Sequence, residues 1–313
     1  MRVGLAAVED LLHKSLRSDL QFVTETSLHL VDAGGKRFRP LFVLLAAQFG
    51  DPEEQDVIKS AAVLELVHLA TLYHDDVMDE ATMRRGASSA NARWDNSVAI
   101  LTGDFLFAQA SEMVADLGTD AVRTMASTFA ALVTGQMRET VGAAGGEDAV
   151  EHYLNVVHEK TGSLIATAGR FGSLFAGAKP EYVEALERLD RIIGTAFQIS
   201  DDIIDIDSDP EESGKVPGTD LREGVHTLPV LYALRDTGPD GDRLRQLLKG
   251  PVENDDDLAE ALRLLRKSPG MAQAKETVAR YATQARDELA YLPDSPGRQA
   301  LATLADYTVN RHG

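Results

Sequence analysis

The chain has 313 residues and a formal net charge of −19, from 50 acidic against 31 basic side chains, which excludes a broad basic face for gripping nucleic acid. It contains no cysteine, so disulfides, thiol catalysis and cysteine-ligated zinc or iron–sulfur centres are excluded as well. With 44% hydrophobic and 26% charged residues the composition is that of a folded, helix-rich protein, and any anionic ligand must meet a local exception to the acidic field, built from clustered Lys and Arg or from metal ions.

Apolar residues recur at three- and four-residue spacing from Leu5 to Leu16 and from Leu20 to Val31, each the pattern of an amphipathic helix. Glu9, Asp10, Lys14, Arg17, Asp19 and Glu25 interrupt that pattern, so no signal-peptide core is present and a cytoplasmic location is expected. Gly34-Gly35 breaks the chain, and Lys36-Arg37-Phe38-Arg39-Pro40 sets a basic cluster and a proline suited to the first turn of the next helix, Leu41 to Phe49. After Gly50-Asp51-Pro52, the segment from Val57 to Met78 is apolar around most of its circumference, as is Tyr182 to Ile206; such helices belong in the middle of a bundle. Helical spacing also runs through Val98 to Leu117, Val122 to Met137, Val150 to Phe175, Leu228 to Leu234, Leu258 to Leu265, Met271 to Leu289 and Leu301 to Val309. Breaks fall at Gly145-Gly146, Ala178-Lys179-Pro180, Ser213 to Gly218, Gly238-Pro239 and Gly250-Pro251. Period-two strands are missing and no long linker divides the halves, so the sequence predicts an all-α, single-domain fold over 1–313. Uninterrupted apolar runs such as Leu41 to Ala47 stay far below the roughly 20 residues of a bilayer span, and no transmembrane segment is expected.

Both central helices end in aspartates, an unfavourable finish for a helix C-terminus unless something cationic compensates. The first burst is His74-Asp75-Asp76-Val77-Met78-Asp79. Positions i and i+4 share a helix face, so Asp75 and Asp79 stand together with Asp76 beside them. Three carboxylates at that spacing repel unless a cation sits among them, and hard oxygen ligands without His or Cys suit Mg²⁺. Asp201-Asp202-Ile203-Ile204-Asp205 repeats the same grammar on the second central helix, which points to several Mg²⁺ ions gripping a diphosphate between two acid-tipped helices. Lys36 and Arg39, at a helix start, form a second cradle for anions, and Arg84-Arg85-Gly86 lies just beyond the first aspartate cluster. Together these residues read as a site for two anionic substrates.

The strings GGKRFRP, ELVHLATLYHDDVMDE, MRRG, GDFLFAQA, KTGSL, FQISDDIIDI, GKVPGTDL and TLPVLYAL, in that order, resemble the trans-isoprenyl diphosphate synthases, or polyprenyl synthetase family. The resemblance runs from about Gly34 to Leu234 with a helical remainder. It implies a bundle of roughly ten or more helices around a central hydrophobic cavity, the type I isoprenoid synthase fold, and usually a homodimer. By the resemblance, Asp75, Asp76, Asp79, Asp201, Asp202 and Asp205 hold about three Mg²⁺ ions on the allylic diphosphate. Arg84, Lys160 and Lys215 contact that diphosphate, Thr161 and Gln198 line the reaction centre, and Lys36, Arg39, His68 and Arg85 match the isopentenyl diphosphate site. One departure stands out. The family commonly places a Lys where this chain has Val225, in Glu223-Gly224-Val225-His226-Thr227, and His226 is the candidate replacement.

The implied reaction joins isopentenyl diphosphate to an allylic diphosphate and needs no nucleophilic side chain. The growing tail is expected to run back along the helix that carries the first cluster, so Ala70 and Thr71, one turn before Asp75, form the first floor it meets. In the family, aromatic residues there stop elongation, whereas small ones open the next turn, about 5.4 Å deeper. Val67 and Leu64 follow, with Phe129 as the eventual floor, and products longer than about twenty carbons are expected. The alternatives are a farnesyl or geranylgeranyl diphosphate synthase and a noncatalytic subunit of a heteromeric synthase. A class I terpene cyclase would share an aspartate cluster but needs no second-substrate site of the kind formed by Lys36, Arg39 and Arg85.

Overall fold

The computed structural model describes residues 1–208 and 217–310, with side chains to 308. Among these, the elements in chain order are α1 (Arg2–Ser15), α2 (Gln21–Asp32), α3 (Phe38–Ala46) with a 3₁₀ turn at Ala47–Phe49, α4 (Gln55–Met78), the strands β1 (Met83–Arg84) and β2 (Ala87–Ser88), α5 (Ala90–Arg93), α6 (Asn96–Ala115), α7 (Thr119–Val141) and α8 (Ala149–Val157). A π-helical turn at His158–Gly162 leads into α9 (Ser163–Phe175), then α10 (Pro180–Asp207), α11 (Thr219–Glu223), α12 (Leu228–Ala233), α13 (Pro239–Leu247), α14 (Asp255–Lys267), α15 (Pro269–Leu289) and α16 (Pro296–Asn310). The all-α expectation therefore holds, with β1 and β2 forming a two-residue antiparallel ladder. The chain divides into two compact units, one of Met1–Ala130 and Leu164–Glu187, the other of Ala131–Ser163 and Arg188 onward.

In the first unit α4 is the central element. Val57, Ala61, Val63, Leu66, Val67, Leu69 and Tyr73 are all fully buried, on every side of the helix, which is what its uniformly apolar sequence foretold. Tyr73 keeps its hydroxyl satisfied in that core by donating to the Thr26 carbonyl at 2.5 Å, while the Leu30 amide donates back to it at 3.3 Å. Helix α6 lies along α4 on a face of small residues, Ala99, Gly103 and Ala110. A Cβ at Gly103 would sit 2.4 Å from His74 Nε2 and 3.1 Å from the Ala70 carbonyl oxygen, so any larger residue there would have to displace the His74 ring. By length and composition alone α6 is apolar enough to cross a bilayer. Asp104 and Glu112 interrupt it, so it contains no long unbroken apolar run.

In the second unit Ile199, Ile203 and Ile206 of α10 share a buried cluster with Leu228 of α12, Leu265 of α14 and Met271 of α15. Their i, i+4, i+7 spacing fixes which side of α10 is core, turns Asp201 and Asp205 to another face and leaves Asp202, one turn from Ile199 and Ile206, buried at the edge of that core. Asp190, on the same helix, is fully buried with neither carboxylate oxygen hydrogen-bonded. Burial alone pushes its pKa well above the ordinary 3.8. A raised native-state pKa means that the group adds no ionisation cost below 3.8, where it is neutral folded or unfolded. Stability is then lost progressively as the pH climbs toward the raised value. Asp190→Asn, neutral throughout, should raise the melting temperature by a margin that grows from pH 5 to pH 8; a margin independent of pH in thermal denaturation would contradict this.

Most helix ends fall within a few residues of the sequence expectation. Gly238-Pro239, read as a break, is one because Gly238 caps α13 and Pro239 occupies its first turn. Val150 to Phe175, read as one helix, is instead α8 and α9 joined by the π turn.

Candidate active site

In the first unit, α4 delivers its aspartates at the C-terminal turn. Asp76 is fully buried, and Arg84 Nε donates to its Oδ1 at 2.6 Å, with Arg84 Nη2 3.9 Å from Asp79 Oδ2. This is the cation that the acid-tipped helix end required. Asp76 Oδ2 is buried with no hydrogen-bond partner. Desolvation raises the Asp76 pKa, and Arg84 works against that rise. Asp75 is half-buried, and Asp79, the C-cap residue, is exposed. Arg84 is placed by the β1–β2 hairpin, whose two turn residues, Arg85 and Gly86, both have positive φ (54° and 77°), as a type I′ turn demands.

Arg85 reaches the opposite way from that turn. Its Nη1 donates to the carbonyls of Leu30, at 3.0 Å, and Gly34, and its Nη2 is 3.8 Å from Glu65 Oε1. A Cβ on Gly35 would come within 2.9 Å of the Arg85 Cζ, so the glycine leaves room for the guanidinium. Arg39 Nε is buried without a partner, and burial lowers the Arg39 pKa to about 10 against the pull of Glu65. His68 is held neutral: desolvation, then the positive charges of Arg39, Arg85 and Arg84, press its pKa well below 6.5. The structure thus brings Arg39, His68, Arg84 and Arg85 within electrostatic range of one another, with Lys36 exposed on the adjoining loop. Along α4, Ala70, Val67 and Leu64 are buried, and Thr71 turns its hydroxyl onto the His68 carbonyl at 2.8 Å. Phe129 of α7 stacks against Phe107 of α6 with ring centroids 4.3 Å apart.

In the second unit, Lys160, Thr161, Gln198 and Asp202 line one cavity of about 470 Å³. Gln198 bridges Thr161 and Asp202, accepting from Thr161 Oγ1 at 3.3 Å and donating from Nε2 to Asp202 Oδ1 at 3.0 Å. Tyr153 donates its hydroxyl to Asp202 Oδ2. Burial, reinforced by Asp201 and Asp205, carries the Asp202 pKa up to about 7 although both hydrogen bonds oppose it. Lys160 and Thr161 sit on the π turn, the kind of helix defect that re-aims side chains at functional sites. Gly135 makes this turn accessible to α7, since a Cβ there would lie 2.8 Å from the Lys160 amide nitrogen. Lys160 Nζ pairs with Glu139 at 2.5 Å. Asp205 accepts from the amides of Thr219 at 3.1 Å and Asp220 at 3.3 Å, in the first turn of α11. His226 lines the cavity beside Val225, with Nε2 on the Leu248 carbonyl at 2.9 Å. A carbonyl only accepts, so Nε2 carries the proton and Nδ1 is the nitrogen left for a ligand. Lys215 lies outside the described residues.

A profile of the polyprenyl synthetase family matches residues 20–265. The chain is 63% identical to a nonaprenyl diphosphate synthase of Mycobacterium tuberculosis, over 100% of this chain and 94% of that protein. This chain belongs to the polyprenyl synthetase family. It is accordingly a prenyl diphosphate synthase, a prenyltransferase whose substrates are isoprenoid diphosphates. Among solved structures it is similar to geranylgeranyl pyrophosphate synthase of Corynebacterium glutamicum in complex with calcium and isoprenyl diphosphate, with a TM-score of 0.90 and 54% identity over 100% and 96% of the two chains. A decaprenyl diphosphate synthase of Rhodobacter capsulatus gives a TM-score of 0.90 at 34% identity, over 98% and 96%.

Within this prenyl synthase the sequence reading overlooked several residues that the geometry places among those it named. Asp220 lines the cavity with Asp202, and burial, then the charges of Asp202 and Asp205, raises its pKa to about 8. Tyr153 and Glu139 bond Asp202 and Lys160 directly. Glu65, buried beneath Arg37 and Arg85, was visible as an acid set in the apolar middle of α4. Asp220 could have been found from the Gly-Thr-Asp-Leu string, whereas nothing local marks Tyr153 or Glu139.

Proposed function

We propose that this synthase condenses isopentenyl diphosphate with an allylic diphosphate, uses Mg²⁺, and makes linear products longer than about twenty carbons. The observation that carries the metal assignment is Asp76, a fully buried carboxylate with one oxygen on Arg84 and the other without a partner, flanked by Asp75 and Asp79. An all-oxygen donor set of this kind fits Mg²⁺, and the aspartates of α10 offer a second such set, for about three ions per site. Bound there, the ions would supply charge neutralisation to the departing diphosphate. In this reading Arg84, Lys160 and Lys215 hold the allylic diphosphate. Lys36, Arg39 and Arg85 hold that of isopentenyl diphosphate, with neutral His68 contributing a hydrogen bond rather than a charge. Thr161 and Gln198 line the reaction centre. The alkene of isopentenyl diphosphate forms a bond to the allylic C1 as the C1–O bond breaks, and loss of a proton restores an alkene.

Small side chains at Ala70 and Thr71 support long products, as does the 63% identity to a nonaprenyl synthase. The C. glutamicum geranylgeranyl synthase, at 54% identity, favours the shorter alternative less strongly. Purified chain incubated alone with farnesyl diphosphate, isopentenyl diphosphate and Mg²⁺ should give, after dephosphorylation, a ladder extending past geranylgeraniol, and a chelator should abolish it. A ladder ending at geranylgeraniol would support the shorter product, and absence of any product would support a noncatalytic subunit. A homodimer belongs to the same proposal. Ile100 and Leu101 are exposed on α6, which suits a protein–protein contact, and a monomeric mass by light scattering would refute it.

A further inference from the structure

We infer that Arg37 is a positioning residue for the isopentenyl diphosphate contacts, a role that rests on the function proposed above. Arg37 stands in sequence between Lys36 and Arg39, yet its guanidinium is turned inward and only 9% exposed. It makes five hydrogen bonds. Nε and Nη2 fork onto the two oxygens of Glu9 on α1, at 2.8 and 2.7 Å. Nη2 also donates to the Val31 carbonyl at 3.0 Å, and Nη1 to Glu65 Oε1 on α4 at 3.2 Å and to the Gly34 carbonyl at 3.4 Å.

The backbone explains why so many bonds converge on one side chain. Arg37 has φ 47° and ψ 43°, a left-handed conformation that a branched-off Cβ disfavours, and it is the N-cap of α3, where its carbonyl accepts from the Leu41 amide at 2.9 Å. That conformation sets the angle at which the chain passes from Lys36 into the first turn of α3, and hence where Arg39 points. Nothing in the isolated loop would hold an arginine there; the bonds to α1, the end of α2 and α4 do.

Arg37 also governs Arg85 through shared acceptors. Both guanidinium groups use the Gly34 carbonyl, and both face Glu65 Oε1. Glu65 is itself 1% exposed, so it cannot draw on water if one arginine moves. Three of the four contacts assigned to isopentenyl diphosphate, Lys36, Arg39 and Arg85, therefore depend on a residue that contacts no substrate.

Arg37→Lys separates this role from electrostatics, because the charge is retained while the planar fork is lost. The expected result is a rise of about tenfold in the KM for isopentenyl diphosphate, with the KM for the allylic diphosphate within about twofold of wild type. A general loosening of the fold would move both constants together. Should Arg37→Lys not fold, Glu9→Ala, at a partly exposed position on α1, removes the fork's acceptor alone, and about a threefold rise in the same KM is expected. Both KM values unchanged, or both raised in parallel, in the variant that folds would overturn the inference. Arg39→Ala serves as the control for the underlying reading. If it leaves the KM for isopentenyl diphosphate unchanged, the substrate assignment fails; if it raises that KM while Arg37→Lys and Glu9→Ala do not, only the positioning role fails.

Discussion

Asp75→Ala should lower kcat by about 10³-fold, equivalent to ~4 kcal/mol of lost transition-state stabilisation, at saturating Mg²⁺ and both substrates. Asp75 is the better test among the three aspartates of α4. It is half-buried, whereas Asp76 is fully buried and bonded to Arg84, so that truncating Asp76 would strand a guanidinium and damage the fold along with the chemistry. Charge accumulates on the allylic diphosphate only as the C1–O bond breaks. A ligand to the ions that neutralise it should therefore affect turnover more than the KM for isopentenyl diphosphate. Steady-state kinetics read both quantities. Turnover retained within about fivefold would remove Asp75 from the metal site.

How much of this site could be read from the sequence depended on whether the signal was local. The acid-tipped α4 and α10 were legible because an apolar periodicity and a run of aspartates both lie within a few turns of one helix. The compensating cation for Asp76 was legible only as a neighbour in sequence, Arg84. That it arrives by a type I′ hairpin was not foreseen, because Arg85 adopts a positive φ usually left to Asn, Asp or Gly. The π turn carrying Lys160 and Thr161 has no compositional mark. It becomes visible through contacts distant in sequence, such as the approach that Gly135 permits. Helix α13 was missed for a different reason: Pro-Asp-Gly-Asp-Arg-Leu-Arg-Gln-Leu has only two apolar side chains besides its proline, and it is held by Leu244 packed into the core rather than by an apolar stripe. The partners of buried charges were least legible. Arg37 and Glu65 are 28 residues apart, and only tertiary packing shows that one explains the other.

Ala70→Phe is expected to shorten the products, moving the end of the ladder to twenty carbons or about that length, with the rate of the first condensation largely preserved. Ala70 is 1% exposed on α4, one turn before Asp75, so a ring introduced there must take space from the tail or from the protein. On the protein side the space is scarce. Gly103 of α6 packs so closely on the Ala70 carbonyl and His74 that even a methyl group on it would displace the His74 ring. A phenyl ring directed that way would cost about 1–3 kcal/mol in overpacking and lower the melting temperature. The two outcomes are distinguishable by measuring both properties of one variant. A folded variant with a truncated ladder places the tail along this face of α4, whereas a folded variant with the wild-type ladder places it elsewhere. If Ala70→Phe proves too unstable to assay, Thr71→Phe asks the same question from a half-buried position, where Thr71 gives up only a bond to its own helix's carbonyl at His68. Phe107→Ala supplies the converse. Phe107 stacks on Phe129, so if that pair forms the deeper floor, removing one ring should lengthen the ladder while Ala70→Phe shortens it.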